Sequence, residues 1–231
     1  MQQVKSFRSI LWKQSKMATK RKVSEAVIKR LPRYYRHLSE LIDANIERIS
    51  STELATKMRI TASQVRQDLN NFGGFGQQGY GYNVRLLRDE IGNILGLGNE
   101  LKCIIIGGGN LGHAIANYKN FAKRGFKIQG IFDIDENVVG TSVNDIGIYH
   151  TDTMIDFIKK NKIDIAIFTL PTVAVRNMID DVISAGIKGI WNFSHFDMEV
   201  PENVSVVNVH LSDSLMTLAY KIQENENLNN R

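Results

Sequence analysis

Three glycines and one aspartate carry the spacing in this 231-residue chain that most directly implies chemistry: Gly107, Gly109 and Gly112 in KCIIIGGGNLG (Lys102 to Gly112), and Asp133, 21 residues beyond the last glycine. An apolar run, Cys103 to Ile106, leads into the glycines, and a helix-compatible stretch follows from His113 to Lys123. Strand, tight turn and helix in that order is the setting a dinucleotide fingerprint needs. Gly107 permits the turn, Gly109 lets the backbone approach a pyrophosphate, and Gly112 lets the helix pack closely on the strand. With Gly108, Asn110 and Leu111 between them, these residues form an anion cradle in which free N–H groups face the ligand. Asp133 closes a second apolar run, Ile128 to Phe132. Its carboxylate would accept hydrogen bonds from both hydroxyls of an adenine ribose and repel a 2′-phosphate. No Arg or Lys follows in Ile134, Asp135, Glu136 or Asn137, so NAD is expected over NADP.

No catalytic residues are assigned. His113, His150, His195 and His210 are scattered, and none stands at a catalytic spacing from a carboxylate. The residues after Lys102 are consumed by a sheet and its helices, which leaves no separate substrate domain for an NAD-dependent oxidoreductase. A coenzyme A site on the same fold is the third reading, and Asp133 argues against it. No metal ligand set is expected.

The elements that must position these groups begin at Lys102. Apolar runs at 103–106, 128–132, 163–168, 187–193 and 204–209 alternate with helical stretches near 113–123, 152–161 and 173–185. Nearly continuous apolar strands with helical crossovers imply a parallel sheet covered on both faces, an α/β fold of Rossmann type. Thr169-Leu170-Pro171 and Asn192-Phe193-Ser194 then fall on the carboxyl edge, where ligands sit in such sheets. Thr169, Pro171, Asn192 and Phe193 join the candidate cofactor site on that ground. Ser212 to Glu224 reads as a helix with Leu215, Leu218 and Ile222 on one face, able to close its own domain or pack on a partner subunit.

The first hundred residues have a different character. They hold 17 Lys+Arg against 9 Asp+Glu, a balance of +8, whereas residues 101–231 hold 12 against 15, a balance of −3. Positive charge confined to one domain points to a polyanionic partner. Ser24 is placed to cap a helix with Ile28, Leu31, Tyr35, Leu38 and Ile42 inward, kinked or restarted at Pro32. Ser50 and Glu53 have capping-box spacing for a second helix through Lys57. Thr61 caps a third, Ala62 to Asn71, with Val65 and Leu69 inward and Ser63, Gln64, Arg66, Gln67 and Asn70 outward. Two short helices about a three to four residue turn make a helix-turn-helix. In a major groove Arg66 would read guanine, and Gln64 or Gln67 adenine. Arg33, Lys57 and Arg59 complete the candidate DNA-facing set. Phe72 to Asn83 holds five glycines and four aromatics in twelve residues, which suits a short twisted hairpin, the wing of a winged helix. Val84, Leu87, Ile91 and Leu95 give one more amphipathic helix, and Gly96 and Gly98 mark the boundary.

The domain plan is therefore 1–16 an upstream extension, 17–98 a winged-helix DNA-binding domain, 99–211 an NAD(H)-binding domain and 212–231 a dimerisation helix and tail. Cys103 alone excludes an intrachain disulfide and suits a reducing cytoplasm, and no run is long and apolar enough for a membrane span.

Lys22-Val23-Ser24, Arg30-Leu31-Pro32-Arg33-Tyr34-Tyr35-Arg36, Gln64-Val65-Arg66-Gln67-Asp68-Leu69, Phe75-Gly76, Gly79-Tyr80-Gly81-Tyr82-Asn83-Val84, GGGNLG, Phe132-Asp133 and Asn192-Phe193 together resemble the Rex family of redox-sensing transcriptional repressors. The resemblance spans Met17 to about Ile222. It implies a homodimer on an inverted-repeat operator, exchange of the C-terminal helices, and release from DNA by NADH but poorly by NAD⁺. It further implies that Arg66 and Gln64 lie on DNA, Gly107 to Gly112 on pyrophosphate and Asp133 on ribose. Tyr82, also a candidate cofactor contact, and Arg36 would belong to the switch between closed and DNA-bound forms. The chain departs from the family where many members have basic residues, at Gln67 and Gln78, and where others have aspartate, at His210. Asp213 is the substitute partner for Arg36 or Tyr82.

Overall fold

The computed structural model describes residues 23–72, 76–77 and 80–229. The extension expected over residues 1–16, and Gln78, lie outside the described residues. The chain divides into two compact units between Leu97 and Gly98.

In the first unit, α1 (Glu25–Asp43) buries Val27, Leu31, Tyr34, Leu38 and Leu41. The inward stripe is therefore rotated from the expected one: Ile28 is 49% exposed, Tyr35 and Ile42 are only half-buried, and Tyr34 is fully enclosed. The reason is polar, because Tyr34 donates to a carboxylate buried beneath it, as described below. The helix also runs through Pro32 without the expected restart. The carbonyl deprived of its partner there is that of Ile28, whose exposed position lets water take the place of the missing N–H. Ser24 stands at the N-cap but its side chain makes no capping bond.

β1 (Arg48–Ile49) precedes α2 (Ser51–Met58), which is held by the expected capping box: Glu53 N–H donates to Ser50 Oγ at 3.1 Å and Ser50 N–H to Glu53 Oε2 at 2.8 Å. Arg59 ends α2 in the left-handed region, φ 53°. Thr61 Oγ1 accepts from Gln64 N–H at 3.1 Å and opens α3 (Ala62–Asn70). β2 (Gly76–Gln77) and β3 (Gly81–Asn83) make the hairpin, and β1 pairs on β3 to give an antiparallel sheet ordered β1-β3-β2. Gly81 is obligatory in this sheet: φ is +69°, and a Cβ would stand 2.6 Å from the Ile49 carbonyl oxygen. Asn83 caps α4 (Val84–Ile94) by accepting from Leu86 N–H at 2.9 Å. One core of Leu31, Tyr34, Leu54, Met58, Val65 and Leu87 with their neighbours joins all four helices.

The second unit contains β4 (Leu101–Ile106), α5 (Asn110–Ala116), α6 (Asn120–Lys123), β5 (Phe126–Asp133), β6 (Ser142–Val143), β7 (Ile146–His150), α7 (Met154–Asn161), β8 (Ile165–Phe168), α8 (Thr172–Ser184), β9 (Gly189–Asn192), β10 (Ser205–Asn208) and α9 (Leu211–Asn229). The sheet order is β10-β9-β8-β4-β5-β7-β6, parallel throughout except for β6 on β7. Numbered by their own succession, the parallel strands read 3-2-1-4-5-6, the doubly wound Rossmann order, with the switch point between β4 and β8. β6 and β7 were not expected, because Gly147 interrupts a run of only five residues. The single helix expected over 113–123 is instead two short ones, the first starting inside the glycine turn. The α9 surface is exposed along its length, Leu215, Met216, Leu218, Tyr220 and Ile222 included.

Candidate functional site

The glycine turn sits at the switch point, and each expected glycine has a measurable reason. Gly107 has φ +110°, and a Cβ there would lie 2.7 Å from Thr169 Oγ1; one on Gly112 would lie 2.0 Å from the Gly107 carbonyl oxygen. Neither position has room for a carbon atom. At Gly109 a Cβ would meet nothing within 4 Å, so this stretch of backbone faces open space. Gly109 and Asn110 are exposed, Leu111 is half-buried, and Gly107, Gly108 and Gly112 are buried. The turn is thus rigid on its inner side and bare on its outer side.

Asp133, the last residue of β5, locks the turn. Gly108 N–H donates to its Oδ2 and Asp135 N–H to its Oδ1, the latter at 2.9 Å. Each carboxylate oxygen keeps a further acceptor site. Across the switch point Thr169 Oγ1 donates to the Gly107 carbonyl at 2.8 Å, and its backbone N–H donates to Ile106 at 2.9 Å. Pro171 occupies the N-cap of α8, exposed beside Val173, which is itself 73% exposed. The structure therefore brings Gly107 to Gly112, Asp133 and Thr169 into direct contact, with Pro171 following on the same edge.

Asn192 ends β9 nearby and Phe193 follows it, its N–H donating to the Phe168 carbonyl at 2.9 Å. Asn192 is fully buried, and its amide is fully used: Nδ2 donates to Phe196 O at 2.8 Å and Asn208 Oδ1 at 2.9 Å, while Oδ1 accepts from Ser194 N–H at 2.9 Å and Ser194 Oγ at 2.7 Å. Its side chain shapes the loop and has nothing left for a ligand. Phe193 ends an edge-to-face aromatic chain through Trp191 and Phe121 to the exposed Tyr118. His210 stacks on His195 with ring centroids 5.7 Å apart, and Asp213 follows in the first turn of α9.

Tyr82 belongs to the first unit. It lies in β3, 7% exposed, as part of the first unit's core, and burial pushes its phenol pKa upward although Arg66 opposes the shift. Arg36, the other expected switch residue, is exposed on α1 beside Glu40 at 4.0 Å.

On the helix-turn-helix, Ser63, Arg66 and Gln67 of α3 are exposed, as are Lys57 and Arg59. Arg66 reaches back to Ser51 Oγ at 3.0 Å, and Arg33 donates to the Met58 carbonyl at 2.7 Å, where a cation also suits the C-terminus of α2. Gln64 is half-buried and donates to Asp68 Oδ1 at 2.8 Å. Asp68 went unremarked as a site residue, yet it is fully buried and also takes Arg30 Nε at 2.6 Å, Arg30 Nη2 at 2.8 Å and Tyr34 Oη at 3.0 Å. Burial alone would raise the Asp68 carboxyl, but these hydrogen bonds outweigh it and hold the pKa below the ordinary aspartate value. Burial and the same carboxylate push the Tyr34 phenol well up. The sequence signal for Asp68 is slight: one acidic residue among the amides and single arginine of α3. On the hairpin, Tyr80 is 69% exposed and lies beneath the Arg48 guanidinium, 5.9 Å from the ring centroid.

Among the described residues no three His, Cys, Asp or Glu side chains are grouped to hold a metal ion, and no helix is long and apolar enough to cross a membrane.

Two family models match the chain: a putative DNA-binding protein N-terminus over residues 22–70 and a CoA binding domain over residues 99–196. The chain is 54% identical over 210 residues to the redox-sensing transcriptional repressor Rex of Thermoanaerobacter pseudethanolicus, covering 91% of this chain and 94% of that one. It is 51% identical over 210 residues to the repressor of the same name from Clostridium tetani, covering 91% and 100%. Among solved structures it resembles RSP in complex with β-NAD⁺ and operator DNA, at 53% identity and TM-score 0.84, covering 90% of this chain and 96% of that one. It likewise resembles RSP in complex with β-NADH, at 50% identity and TM-score 0.84, covering 91% and 99%.

Proposed function

This chain belongs to the Rex family of redox-sensing transcriptional repressors, and from that membership we propose that it binds an inverted-repeat operator as a homodimer and leaves it when NADH occupies the second unit. The observation that carries the reading is the presence, in one chain, of a helix-turn-helix with exposed Ser63, Arg66, Gln67, Lys57 and Arg59 and of a glycine turn locked by Asp133. It is a transcription factor and not an enzyme.

In the cofactor site, Gly109 and its neighbours offer bare backbone to a pyrophosphate. Asp133 offers its remaining acceptor sites to ribose hydroxyls and rejects a 2′-phosphate. Thr169, Pro171 and Phe193 border the nicotinamide end, with Asn192 shaping their loop. This donor set fits NAD(H), as in the two RSP complexes, better than the coenzyme A of the family model's name. On DNA, α3 enters the major groove, with Lys57, Arg59 and Arg33 along the phosphates. The apolar side chains along α9 give the partner subunit its contact. Arg36, His210 and Asp213 form the polar part of the switch. The repressor works in the cytoplasm, beside the chromosome.

A neutral dihydronicotinamide enters an apolar pocket at less desolvation cost than the nicotinamide cation, which gives the two redox states different affinities for a closed dimer. Calorimetric titration with NADH, NAD⁺ and NADPH tests the site. The reading requires NADH to bind and NADPH to bind much more weakly, with Asp133→Ala narrowing that gap. Equal affinity for NADPH contradicts the role of Asp133, and no heat with any of the three contradicts the cofactor site.

A further inference from the structure

Among the described residues Asp68 is the one charged side chain that is fully buried, and it lies in the middle of α3. Both oxygens are occupied twice. Oδ2 takes Arg30 Nε and Tyr34 Oη from α1, while Oδ1 takes Arg30 Nη2 and, from one turn earlier on its own helix, Gln64 Nε2. Stability alone does not call for such an arrangement, since apolar replacements of a buried ion pair are often neutral or stabilising. An apolar cluster, however, could not impose a polarity on Gln64. The two ends of a glutamine amide have nearly the same shape and opposite hydrogen-bonding character. An ionised carboxylate only accepts, so it holds the Nε2 end inward and leaves Oε1 and the second Nε2 hydrogen for the outer side. One acceptor beside one donor matches N6–H and N7 of adenine. A flipped amide would present donors alone, which match O6 and N7 of guanine.

We propose that Asp68 is a positioning residue for base recognition: it fixes the amide of Gln64 so that α3 selects adenine and rejects guanine at one base pair of each half-site. This rests on α3 being the DNA-reading helix.

The test is selection of bound duplexes from a library with both half-sites randomised, using the full chain without dinucleotide. Wild type, Gln64→Leu and Asp68→Asn are compared, with circular dichroism melting to verify folding. A second way of removing the carboxylate, Arg30→Met with Tyr34→Phe and Asp68→Leu, replaces the whole polar cluster by apolar side chains. Wild type is expected to prefer adenine to guanine at one pair per half-site by roughly tenfold. Gln64→Leu abolishes that preference. Asp68→Asn, whose amide can hold Gln64 either way round, brings adenine and guanine close to parity at that pair and leaves the other pairs as in wild type; the apolar triple variant does the same. A folded Asp68 variant that keeps the wild-type preference, or weakens every position equally, overturns the proposal. So does a Gln64→Leu motif identical to wild type, with DNA binding itself left standing. If wild type enriches no repeat, the DNA-reading function falls and this inference with it.

Discussion

At Gly112 a single added carbon decides whether the cofactor turn exists. Its Cβ would stand 2.0 Å from the Gly107 carbonyl oxygen, so Gly112→Ala must push β4 and α5 apart. We expect a loss of roughly 1–3 kcal/mol in urea unfolding together with loss of NADH binding; unchanged binding would mean that the turn is not the cofactor cradle. Asp68 makes a different prediction. Its carboxyl is held below its ordinary value of 3.8, so its contribution to stability is fully present above that pH and is lost as the pH falls through the folded-state value. The urea midpoint of wild type should therefore drop more steeply from pH 5 to pH 3 than that of the triple variant Arg30→Met, Tyr34→Phe, Asp68→Leu, whereas parallel curves would contradict it. These two residues differ in how far the sequence disclosed them. The glycines were legible because each is required by local backbone geometry, which spacing reveals. Asp68 was not, because its partners Arg30 and Tyr34 lie 38 and 34 residues away at the far ends of hydrogen bonds that only the tertiary fold creates.

Among the described residues none covers the apolar side chains of α9: Leu215 is 67% exposed and Leu218 52%. Leu215→Glu with Leu218→Glu should convert the proposed dimer to monomer in sedimentation at micromolar concentration while leaving each unit folded, since neither side chain belongs to a buried core. An unchanged mass would remove α9 from the interface. The helix itself was plain from its spacing, as were α2 and α3 from Ser50, Glu53 and Thr61. Elements were missed where the local signal was weak or contrary. β7 hides in Ile146-Gly147-Ile148-Tyr149-His150, stabilised by pairing with β5 and not by its own apolar content. In α1 the buried face turned toward Tyr34 because a phenol with a carboxylate to satisfy outweighed the more regular apolar stripe.

For the whole molecule the proposed function is a matter of linkage. In the proposed homodimer two recognition helices would bind an inverted repeat only at the spacing the dimer sets, and a ligand that favours another spacing would expel the protein. Moving the population from almost all bound to almost all free needs about a 10⁴-fold difference in the ligand's affinity for the two forms. The sequence carried this architecture well, because a cationic helix-turn-helix and a glycine turn with its distant aspartate are separate local patterns joined in one chain. The measurement that tests it most directly is fluorescence anisotropy of a labelled duplex recovered by the selection above, bound by the full chain at fixed salt and titrated separately with NADH and NAD⁺. NADH is expected to return the anisotropy to that of free DNA at concentrations where NAD⁺ leaves the complex intact, and Asp133→Ala to shift the NADH curve to higher concentration. Anisotropy that stays at the bound level throughout the NADH titration, with NADH binding verified by calorimetry, would contradict it.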